Sequence, residues 1–319
     1  MITNIKMLYL YVETPLHAGV GSGLSSVDLP IQRERTTQYP TIQGSGIKGK
    51  LRSVAEDVVD DIKAGRRQGT LTDEIVTITF GPKKDGSDHA GALILGDARV
   101  LLFPVRSLSG VFAYTTCFDV LNRFKRDRER SGNILPWNTP ITANGNEQDP
   151  PVALVTSNSQ VTASGTVVLE EFSFKAQPSK DADDIADWIV KYILPDTYDY
   201  WREKLKQSLV ILPDNDFRDF VLYATEIITR VRIDRSKKTV ESGALWTEEH
   251  LPTDTLLYVP VYATDSRKAV NKEKGEKAIP ADQILQYAAS LEDSQSGYIQ
   301  LGGDETVGRG LVRMHWERE

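Results

Sequence analysis

The sequence predicts an α+β fold, roughly an elaborated ferredoxin-like (RRM-like) plan. In some segments apolar residues recur at the spacing of amphipathic helices, and in others short runs rich in Leu, Ile, Val and Tyr are typical of strands. These segments follow one another as strand, helix, strand, then helix, strand, strand, helix, strand, with insertions. The length of 319 residues and the hydrophobic content of 40% suffice for one large or two modest domains.

The N-terminal elements have clear patterns. A strand is expected over 6–14, and a glycine-rich loop follows it. An amphipathic helix is expected from Ser45 to about 64–65, because apolar residues recur there at spacings of three and four. Strand-like residues follow over 92–105. The apolar stripe of the helix comprises Ile47, Leu51, Val54, Val58 and Ile62.

The remaining two thirds of the chain contain an insertion and a hairpin. Pro, Asn, Gly, Ser and Thr dominate 131–165, which predicts an irregular segment, and the region at about 131–215 is interpreted as an insertion. A long polar excursion at about 230–255 predicts a protruding hairpin. The other expected elements are helices over 115–130, 216–230 and 280–291, and strands over 228–233, 256–262, 297–301 and 310–316.

Composition excludes several classes of protein. Cys117 is the single cysteine, so neither an intrachain disulfide nor a cysteine zinc site can form. Charges interrupt every hydrophobic run before it reaches membrane-spanning length, and the first residues lack the features of a signal peptide. We therefore expect a cytoplasmic protein with no membrane partner.

Charge is unevenly distributed along the chain. The net charge of −7 argues against an RNA-binding domain, since such domains are often basic. Basic residues nevertheless outnumber acids five to one in 31–52 and in 230–238, and five to two in 123–130. This segregation indicates a basic groove on an acidic body, although a charge run is also an ordinary solvated surface.

The stretch GSGIKGK, from Gly44, matches the start of a phosphate-binding P-loop. Leu51 stands where the magnesium-binding Ser or Thr should follow, which disfavours nucleotide hydrolysis. A Gly/Ser-rich turn that leads into a helix still offers backbone N–H groups to a phosphate. Lys48 and Arg52, four residues apart, can reach the same phosphate backbone. The alternative is a capped surface helix with two solvated cations.

Two further segments contain candidate acids and bases. Asp28 can accept a proton from a ribose 2′-hydroxyl or position a divalent metal ion, although a turn or capping role is the alternative. His17 is likewise either functional or a hydrogen-bonding histidine. The hairpin segment closes with Trp246, Glu248, Glu249 and His250, and such a hairpin can wedge between bases and bring acid/base groups to the nucleic-acid backbone. The alternative there is an exposed hairpin with a core tryptophan.

A second glycine loop lies near the C-terminal end. The segment YIQLGGDETVGRG, from Tyr298, contains four glycines and Arg309, so a nucleic-acid backbone can approach it closely. Glycine turns are common, and this segment is not specific by itself.

Together these segments resemble the Cmr-type backbone ribonuclease of the RAMP superfamily of CRISPR proteins. The matching text is LYVETPLHAGVGSG, VDLPIQRE, YPTIQGSGIKGKLR, GALWTEEHLP and YIQLGGDETVGRG. The segments lie in the family's order and span nearly the whole chain, apart from about 131–215.

The resemblance implies a single RAMP domain over 1–319, with a hand-like RNA-recognition core and a protruding thumb at the predicted hairpin. It implies that copies of the subunit stack in a helical filament along one guide crRNA, together with other Cmr complex subunits. A single-stranded target RNA would pair with the guide and be cut at regular intervals. The resemblance also implies a divalent metal ion, Mg or Mn, as cofactor.

The resemblance also implies functional residues, position by position. The essential acid of the VDLP segment corresponds to Asp28, which is also the candidate metal ligand. The histidine of the TPLH segment corresponds to His17, and the thumb acid corresponds to Glu248. His250 stands where the family often has a tyrosine, and a histidine there can take part in proton transfer. The expected RNA-binding residues are Ser45, Lys48, Lys50, Arg52, Arg33, Arg35, Gly308 and Arg309.

Proteins with other functions would be expected to have different sequence features. A non-catalytic RAMP scaffold that coats the guide would share GSGIKGKLR and the glycine loop, but the acid in VDLP favours the nuclease. The type III-A backbone nuclease would normally be shorter and lack GALWTEEHLP. An NTPase would need a magnesium ligand in place of Leu51, and a guide-processing endonuclease would act alone on repeat RNA.

Overall fold

The structure is a computed structural model that describes residues 4–22, 27–83, 88–137, 150–269, 277–294 and 296–317. Within these ranges no helix is long and apolar enough to cross a membrane. The strands are β1 (Asn4–Val12), β2 (Thr41–Ile42), β3 (Leu93–Leu95), β4 (Ala98–Arg106), β5 (Phe112–Cys117), β6 (Val152–Val155), β7 (Thr162–Ala163), β8 (Thr166–Leu169), β9 (Phe172–Pro178), β10 (Leu209–Leu212), β11 (Glu226–Ile233), β12 (Val240–His250), β13 (Leu256–Ala263), β14 (Tyr298–Gln300) and β15 (Leu311–Trp316). The helices are α1 (Gly44–Lys63), α2 (Asp73–Phe80), α3 (Phe118–Glu129), α4 (Lys180–Tyr192), α5 (Asp199–Ser208), α6 (Asp214–Tyr223), α7 (Ala281–Ala289) and α8 (Leu291–Ser294).

A mainly antiparallel sheet forms the body of the protein and confirms the α+β class. Its thirteen strands in the described ranges follow the order β14, β15, β1, β13, β4, β5, β10, β6, β9, β8 and β7, with β2 beside β4 and β3 beside β13. β1 lies inside the sheet, between β13 and β15, and its residues 7–12 are buried. A strand covered on both faces has a continuous apolar sequence, which is why MLYLYV predicts this strand well.

Helix α1 confirms the amphipathic helix, which begins one residue before the expected Ser45. The Gly44 backbone N–H donates a hydrogen bond to Asp97 Oδ1 over 2.8 Å. A Cβ at Gly44 would lie 2.6 Å from the carbonyl oxygen of Gly96, so glycine is required where the helix meets the turn between β3 and β4. Of the predicted stripe, Ile47, Leu51, Val54 and Val58 are buried, and Ile62 is partly buried.

Strands β11 and β12 form a separate two-stranded sheet, here called the hairpin, where the sequence predicts one. A lone two-stranded hairpin is only marginally stable in water. Its base is anchored to the body by two isolated bridges, Leu16 with Leu251 and Leu29 with Glu248. The hairpin exposes the apolar side chain of Ile227 at its base and those of Val231, Ile233, Val240 and Leu245 above it.

Two expected helices differ in extent. The helix expected over 115–130 begins only at Phe118, because the two threonines before it pair in β5, and β-branched residues favour strands. The helix expected over 216–230 ends at Tyr223. From Glu226 onward, half-buried and exposed side chains alternate, which is the period of a strand.

The expectation of an irregular segment over 131–165 is wrong for part of its length. It contains β6, which pairs with β10 and β9 inside the main sheet, and β7. Residues 138–149 of this segment lie outside the described ranges. The following helices α4 and α5 were not predicted. The spacing of Ala182, Ile185 and Ile189 is the helical signal for α4, and acidic neighbours obscure it.

Candidate functional site

Three side chains with metal-ligating or proton-transferring groups meet at the base of the hairpin. Glu248 and His250 are two residues apart on β12 and therefore project from the same face. Asp304 comes from the glycine-rich loop between β14 and β15. One ligand atom of each residue lies within 4.8 Å of the other two. These three residues are called the carboxylate–histidine cluster below.

Arg230 and Trp246 contact the cluster from the hairpin. They are paired across β11 and β12. Arg230 Nε lies 3.0 Å from Glu248 Oε2, and a terminal nitrogen of the same guanidinium donates to Asp304 Oδ1. Trp246 Nε1 donates to Glu248 Oε1 over 2.7 Å. A single guanidinium therefore lies against both carboxylates.

His17 lies beside the cluster, with its ring centroid 5.4 Å from that of His250. Its Nδ1 is 2.7 Å from the backbone carbonyl oxygen of Glu249. Because a carbonyl only accepts hydrogen bonds, Nδ1 carries a proton, and in the corresponding tautomer the lone pair lies at Nε2. A Cβ at Gly19 would lie 2.5 Å from Nε2, and one at Gly302 would overlap the His17 carbonyl, so both glycines are sterically required.

The environment shifts the ionisation of the cluster. Burial is the largest of the influences that lower the pKa of His250, and the electrostatic effects of the nearby His17 and Arg309 add to it. Glu248 and Asp304 oppose this shift without reversing it. Burial alone would raise the pKa of Asp304, but contacts with Glu248 and His250 and the charge of Arg230 outweigh burial and lower it. At neutral pH the cluster therefore contains an uncharged imidazole beside an ionised Asp304.

Asp28 lies on the other side of β12. Its Oδ2 accepts hydrogen bonds from the Thr247 backbone N–H over 2.8 Å and from Thr247 Oγ1 over 2.9 Å. These two bonds lower the pKa of the exposed Asp28 carboxyl. Successive side chains of a strand project to opposite faces, so Thr247 faces away from Glu248. Asp28 is thus an ionised, solvent-facing carboxylate beside the hairpin, outside the three-residue cluster.

Glu249 belongs to the internal scaffold. It is buried, and its carboxylate accepts hydrogen bonds from Arg33 over 2.5 Å, from Thr225 Oγ1 over 2.8 Å and from the Ile31 backbone N–H over 3.0 Å. Arg33, which the sequence places among the RNA-binding residues, is therefore held in an ion pair within the protein. Arg35 is exposed.

A groove of about 570 Å³ adjoins His17 and is called the α1 groove below. It lies between the exposed side of α1 and the loop that follows β14. Lys50 lines it and makes no hydrogen bond or ion pair with the residues that the structure describes, so its ammonium group is available to an anion. The α1 residues that line the groove are Ser45, Gly46, Gly49, Lys50 and Ser53.

Gly46 and Gly49 have no packing role within the described chain. No atom lies within 4 Å of a Cβ built at either position. Glycine inside a helix costs about 1 kcal/mol relative to alanine, so two such glycines are unfavourable for the fold itself. Their absent side chains instead leave space for the backbone of a ligand to approach α1.

The other two cations of the GSGIKGKLR segment already have partners. Lys48 Nζ donates to the backbone carbonyl of Leu93 over 2.7 Å, and burial lowers the pKa of this lysine. Arg52 Nε donates to Glu56 Oε1 over 2.9 Å. Each of these side chains is therefore held in place by an internal partner, although it keeps further N–H donors, whereas Lys50 has no such partner among the described residues.

The glycine loop lies next to the cluster. Gly308 has a φ of 77°, in the left-handed region, at the end of a 3₁₀ turn over Glu305–Val307. The next residue, Arg309, is half-buried, and its backbone N–H donates to the Asp304 carbonyl over 3.2 Å. The structure thus brings His17, Glu248, His250 and Arg309 together.

Asp304 is the member of the cluster that sequence reasoning missed. Its signal is an acid flanked by glycines in YIQLGGDETVGRG, but the sequence does not show that this loop packs against a distant hairpin. Arg230 was noted only as one of a basic run. Its contact with two carboxylates depends on the register of β11 against β12.

The family follows from comparison with known proteins. The chain matches the model of the RAMP superfamily over residues 9–313 and therefore belongs to that superfamily. It is 38% identical over 310 residues to the CRISPR system Cmr endoribonuclease Cmr4 of Pyrococcus furiosus, which covers 96% of this chain and 93% of the relative. It is 26% identical to the CMR subunit Cmr4 of Saccharolobus solfataricus, over 98% of this chain and 97% of the relative.

Solved structures agree with this assignment. Oligomeric Cmr4 from Pyrococcus furiosus has a TM-score of 0.68 at 30% identity, covering 99% of this chain and 98% of that chain. A chain of the type III-B Cmr-beta complex bound to cognate target RNA has a TM-score of 0.67 at 20% identity, which concerns the fold alone, with the same coverage of 99% and 98%. The resemblance to Cmr-type RAMP proteins is confirmed.

Proposed function

We propose that this chain is a guide-RNA-binding backbone subunit of a type III-B CRISPR effector complex and that it cleaves the complementary target RNA. The relative from Pyrococcus furiosus is named an endoribonuclease. The observation that carries the proposal is the position of His17, which lines the α1 groove and lies against the carboxylate–histidine cluster. A site for an RNA backbone is thereby adjacent to groups able to transfer protons.

The guide RNA binds along the α1 groove. Lys50 supplies a cation, and the missing side chains of Gly46 and Gly49 let the sugar–phosphate backbone approach the helix. Contacts of this kind recognise phosphate and ribose and leave the base edges free, so they accept any guide sequence. A single guide then lines up several copies of the subunit in a helical filament, together with other complex subunits. The oligomeric form of a related Cmr4 supports such self-association.

The hairpin acts on the target strand. Its exposed apolar side chains, among them Val231 and Leu245, are suited to separate stacked bases. Each copy has one hairpin, so unstacking and cleavage recur at a regular spacing along the target. Unstacking also frees the ribose beside the wedge to turn its 2′-hydroxyl toward the adjacent phosphate, and this orientation lowers the barrier.

Cleavage proceeds by attack of that 2′-oxygen on the phosphorus atom. A 2′-O–P bond forms, the P–O5′ bond breaks, one proton leaves the 2′-hydroxyl and one is delivered to the 5′-oxygen. His17 has the Nε2 lone pair to accept a proton, and ionised Asp28 orients the hydroxyl or a metal ion. A divalent metal ion such as Mg²⁺ or Mn²⁺, when bound, would stabilise charge on the phosphate.

A non-catalytic guide-RNA scaffold is the second candidate. The observation in its favour is that Asp28 faces away from the carboxylate–histidine cluster. In that case the α1 groove and the hairpin would hold the guide and target, and another subunit would cut.

Asp28→Asn in every copy of a reconstituted complex separates the two functions. Asparagine keeps an oxygen to accept from Thr247 but loses the charge, so the fold is preserved. We expect target binding in a gel shift to persist and the regularly spaced cuts to slow by about 10²–10⁴-fold. The matched control is Asp57→Asn, which changes an exposed carboxylate on α1 and should cut normally. Unchanged cutting by Asp28→Asn would make the subunit a scaffold.

A further inference from the structure

The carboxylate–histidine cluster has buried polar atoms without hydrogen-bond partners. His250 is 1% exposed, and neither of its ring nitrogens has a partner among the described residues. Glu248 Oε2 and Asp304 Oδ2, which face the same space, are also without one. Buried polar atoms nearly always have a hydrogen-bond partner. Three of these four atoms, His250 Nε2, Glu248 Oε2 and Asp304 Oδ2, lie within 4.8 Å of one another, an arrangement that suits a cation.

We propose that Glu248, His250 and Asp304 form a binding site for one divalent first-row cation, such as Zn²⁺ or Mn²⁺. The ligands would be His250 Nε2, Glu248 Oε2 and Asp304 Oδ2. This assignment gives the metal of the proposed function a position away from Asp28, but the site rests on its own geometry and can exist without RNA cleavage.

The distances between the ligand atoms suit such an ion. His250 Nε2 lies 3.9 Å from Glu248 Oε2 and 3.6 Å from Asp304 Oδ2. A cation with bonds of about 2.1 Å holds adjacent ligands about 3.0–3.4 Å apart, so each of these two pairs needs to approach by less than about 1 Å. Asp304 can supply that movement, because it lies in a glycine-flanked loop with a left-handed φ of 63°.

The ligand chemistry selects the class of metal. One imidazole nitrogen with two carboxylate oxygens is a mixed set that suits zinc and its first-row neighbours, whereas Mg²⁺ is usually bound through oxygen alone. Three protein ligands also leave a coordination position open to water or to a phosphate oxygen, as in metal sites that act on substrates. We therefore expect affinity in the order Zn²⁺, Mn²⁺, Mg²⁺.

Arg230 is the competing explanation, because its guanidinium already lies between the two carboxylates. Its Nε is 3.0 Å from Glu248 Oε2 without forming a hydrogen bond, so that oxygen retains a lone pair. Nor does the guanidinium satisfy His250, because neither ring nitrogen of His250 makes a hydrogen bond with any described residue. If Arg230 merely shares the anionic site with a metal, removing its charge should strengthen metal binding. If the cluster is a closed ion-pair network, removal should only destabilise the protein.

The test is a calorimetric titration of the full chain, free of any polyhistidine tag and stripped by a chelator, with ZnCl₂, MnCl₂ and MgCl₂ in the absence of RNA. We expect wild-type protein to bind one equivalent of Zn²⁺ or Mn²⁺. Asp304→Asn and His250→Phe should each weaken binding at least about tenfold, since even indirect ligand partners contribute that much. Glu305→Gln, which alters an exposed neighbouring carboxylate, should bind like wild type. Arg230→Gln should bind more tightly.

The outcomes separate this inference from the proposed function. Absence of saturable binding of Zn²⁺ and Mn²⁺ to wild type, or wild-type binding by Asp304→Asn, would overturn the metal site. If His250→Phe fails to fold, as judged by circular dichroism, Asp304→Asn in its partly exposed loop decides alone. If the chain binds the metal but does not cut target RNA in the complex, only the nuclease proposal is refuted. If the chain cuts target RNA without binding a metal at Glu248, His250 and Asp304, only the metal site is refuted.

Discussion

Replacing Gly49 with alanine separates what α1 contributes to the fold from what it contributes to RNA binding. No atom lies within 4 Å of a Cβ at this position, and the residue is inside a helix. We expect Gly49→Ala to raise the free energy of unfolding of the isolated chain by about 0.5–1 kcal/mol, because alanine loses less backbone entropy on folding. Urea denaturation of the isolated chain measures this change.

The same methyl group should impair guide binding. It projects into the α1 groove beside Lys50 and would push a phosphate away from the ammonium group. A hydrogen bond to a charged group contributes about 1.5–3 kcal/mol, so losing one lowers guide affinity about 10–100-fold. Fluorescence anisotropy with labelled guide RNA during complex assembly provides the readout.

Gly44→Ala is the matched control for this experiment. Its Cβ would lie 2.6 Å from the Gly96 carbonyl oxygen, so it should destabilise the chain. A loss of stability in Gly49→Ala would show that the added methyl group meets other atoms of the chain on the exposed side of α1. A gain of stability with unchanged guide affinity would refute the assignment of the α1 groove to the RNA backbone.

Three more outcomes follow from individual contacts. Glu249→Ala leaves Arg33 buried without its partner and should lower the free energy of unfolding by about 3–5 kcal/mol; a loss under about 1 kcal/mol in urea denaturation would contradict the buried-pair reasoning. Lys50→Ala should weaken guide binding for all sequences alike and reduce the slope of log affinity against log salt by about 1, and an unchanged slope would exclude a phosphate contact. Burial alone would raise the pKa of Glu34, but its hydrogen bonds from Arg123, over 2.9 and 2.8 Å, outweigh burial and lower it. The ionised carboxylate therefore stabilises the fold above its unfolded pKa of about 4.3, and this contribution disappears as the pH falls through the lower folded value. Glu34→Gln should accordingly be destabilising at neutral pH and become progressively less so as the pH is lowered below about 4.3 in urea denaturation, whereas an effect that does not change with pH would refute the linkage.

The sequence predicts those helices and strands whose apolar pattern lies within their own residues. The buried strand β1 and the stripe of α1 are visible because burial on both faces, or on one, leaves a regular apolar pattern. The end of α6 at Tyr223 is less visible, because strand and helix patterns overlap where β11 begins at Glu226. The strand β6 depends on pairing with β10, which comes from a distant part of the chain.

The candidate functional site also contains some residues that can be predicted from the sequence and others that cannot. His17, Glu248 and His250 can be selected from sequence because they lie in segments that resemble a known family, and the structure brings them together. The contact of Asp304 with them depends on tertiary packing. The same is true of the cations: Lys48 and Lys50 are alike in sequence, yet only Lys48 is bonded to a backbone carbonyl.

Strand β12 carries different chemistry on its two faces, which restricts how the hairpin can vary among natural relatives. Glu248 and His250 project to one side, while Thr247, the partner of Asp28, projects to the other. One inserted or deleted residue at the hairpin base would exchange these faces. Length changes there should therefore occur in pairs. Beyond the irregular pairing between Val231 and Ile233, the tip at 234–239 is free of this restriction, and there single-residue insertions should accumulate.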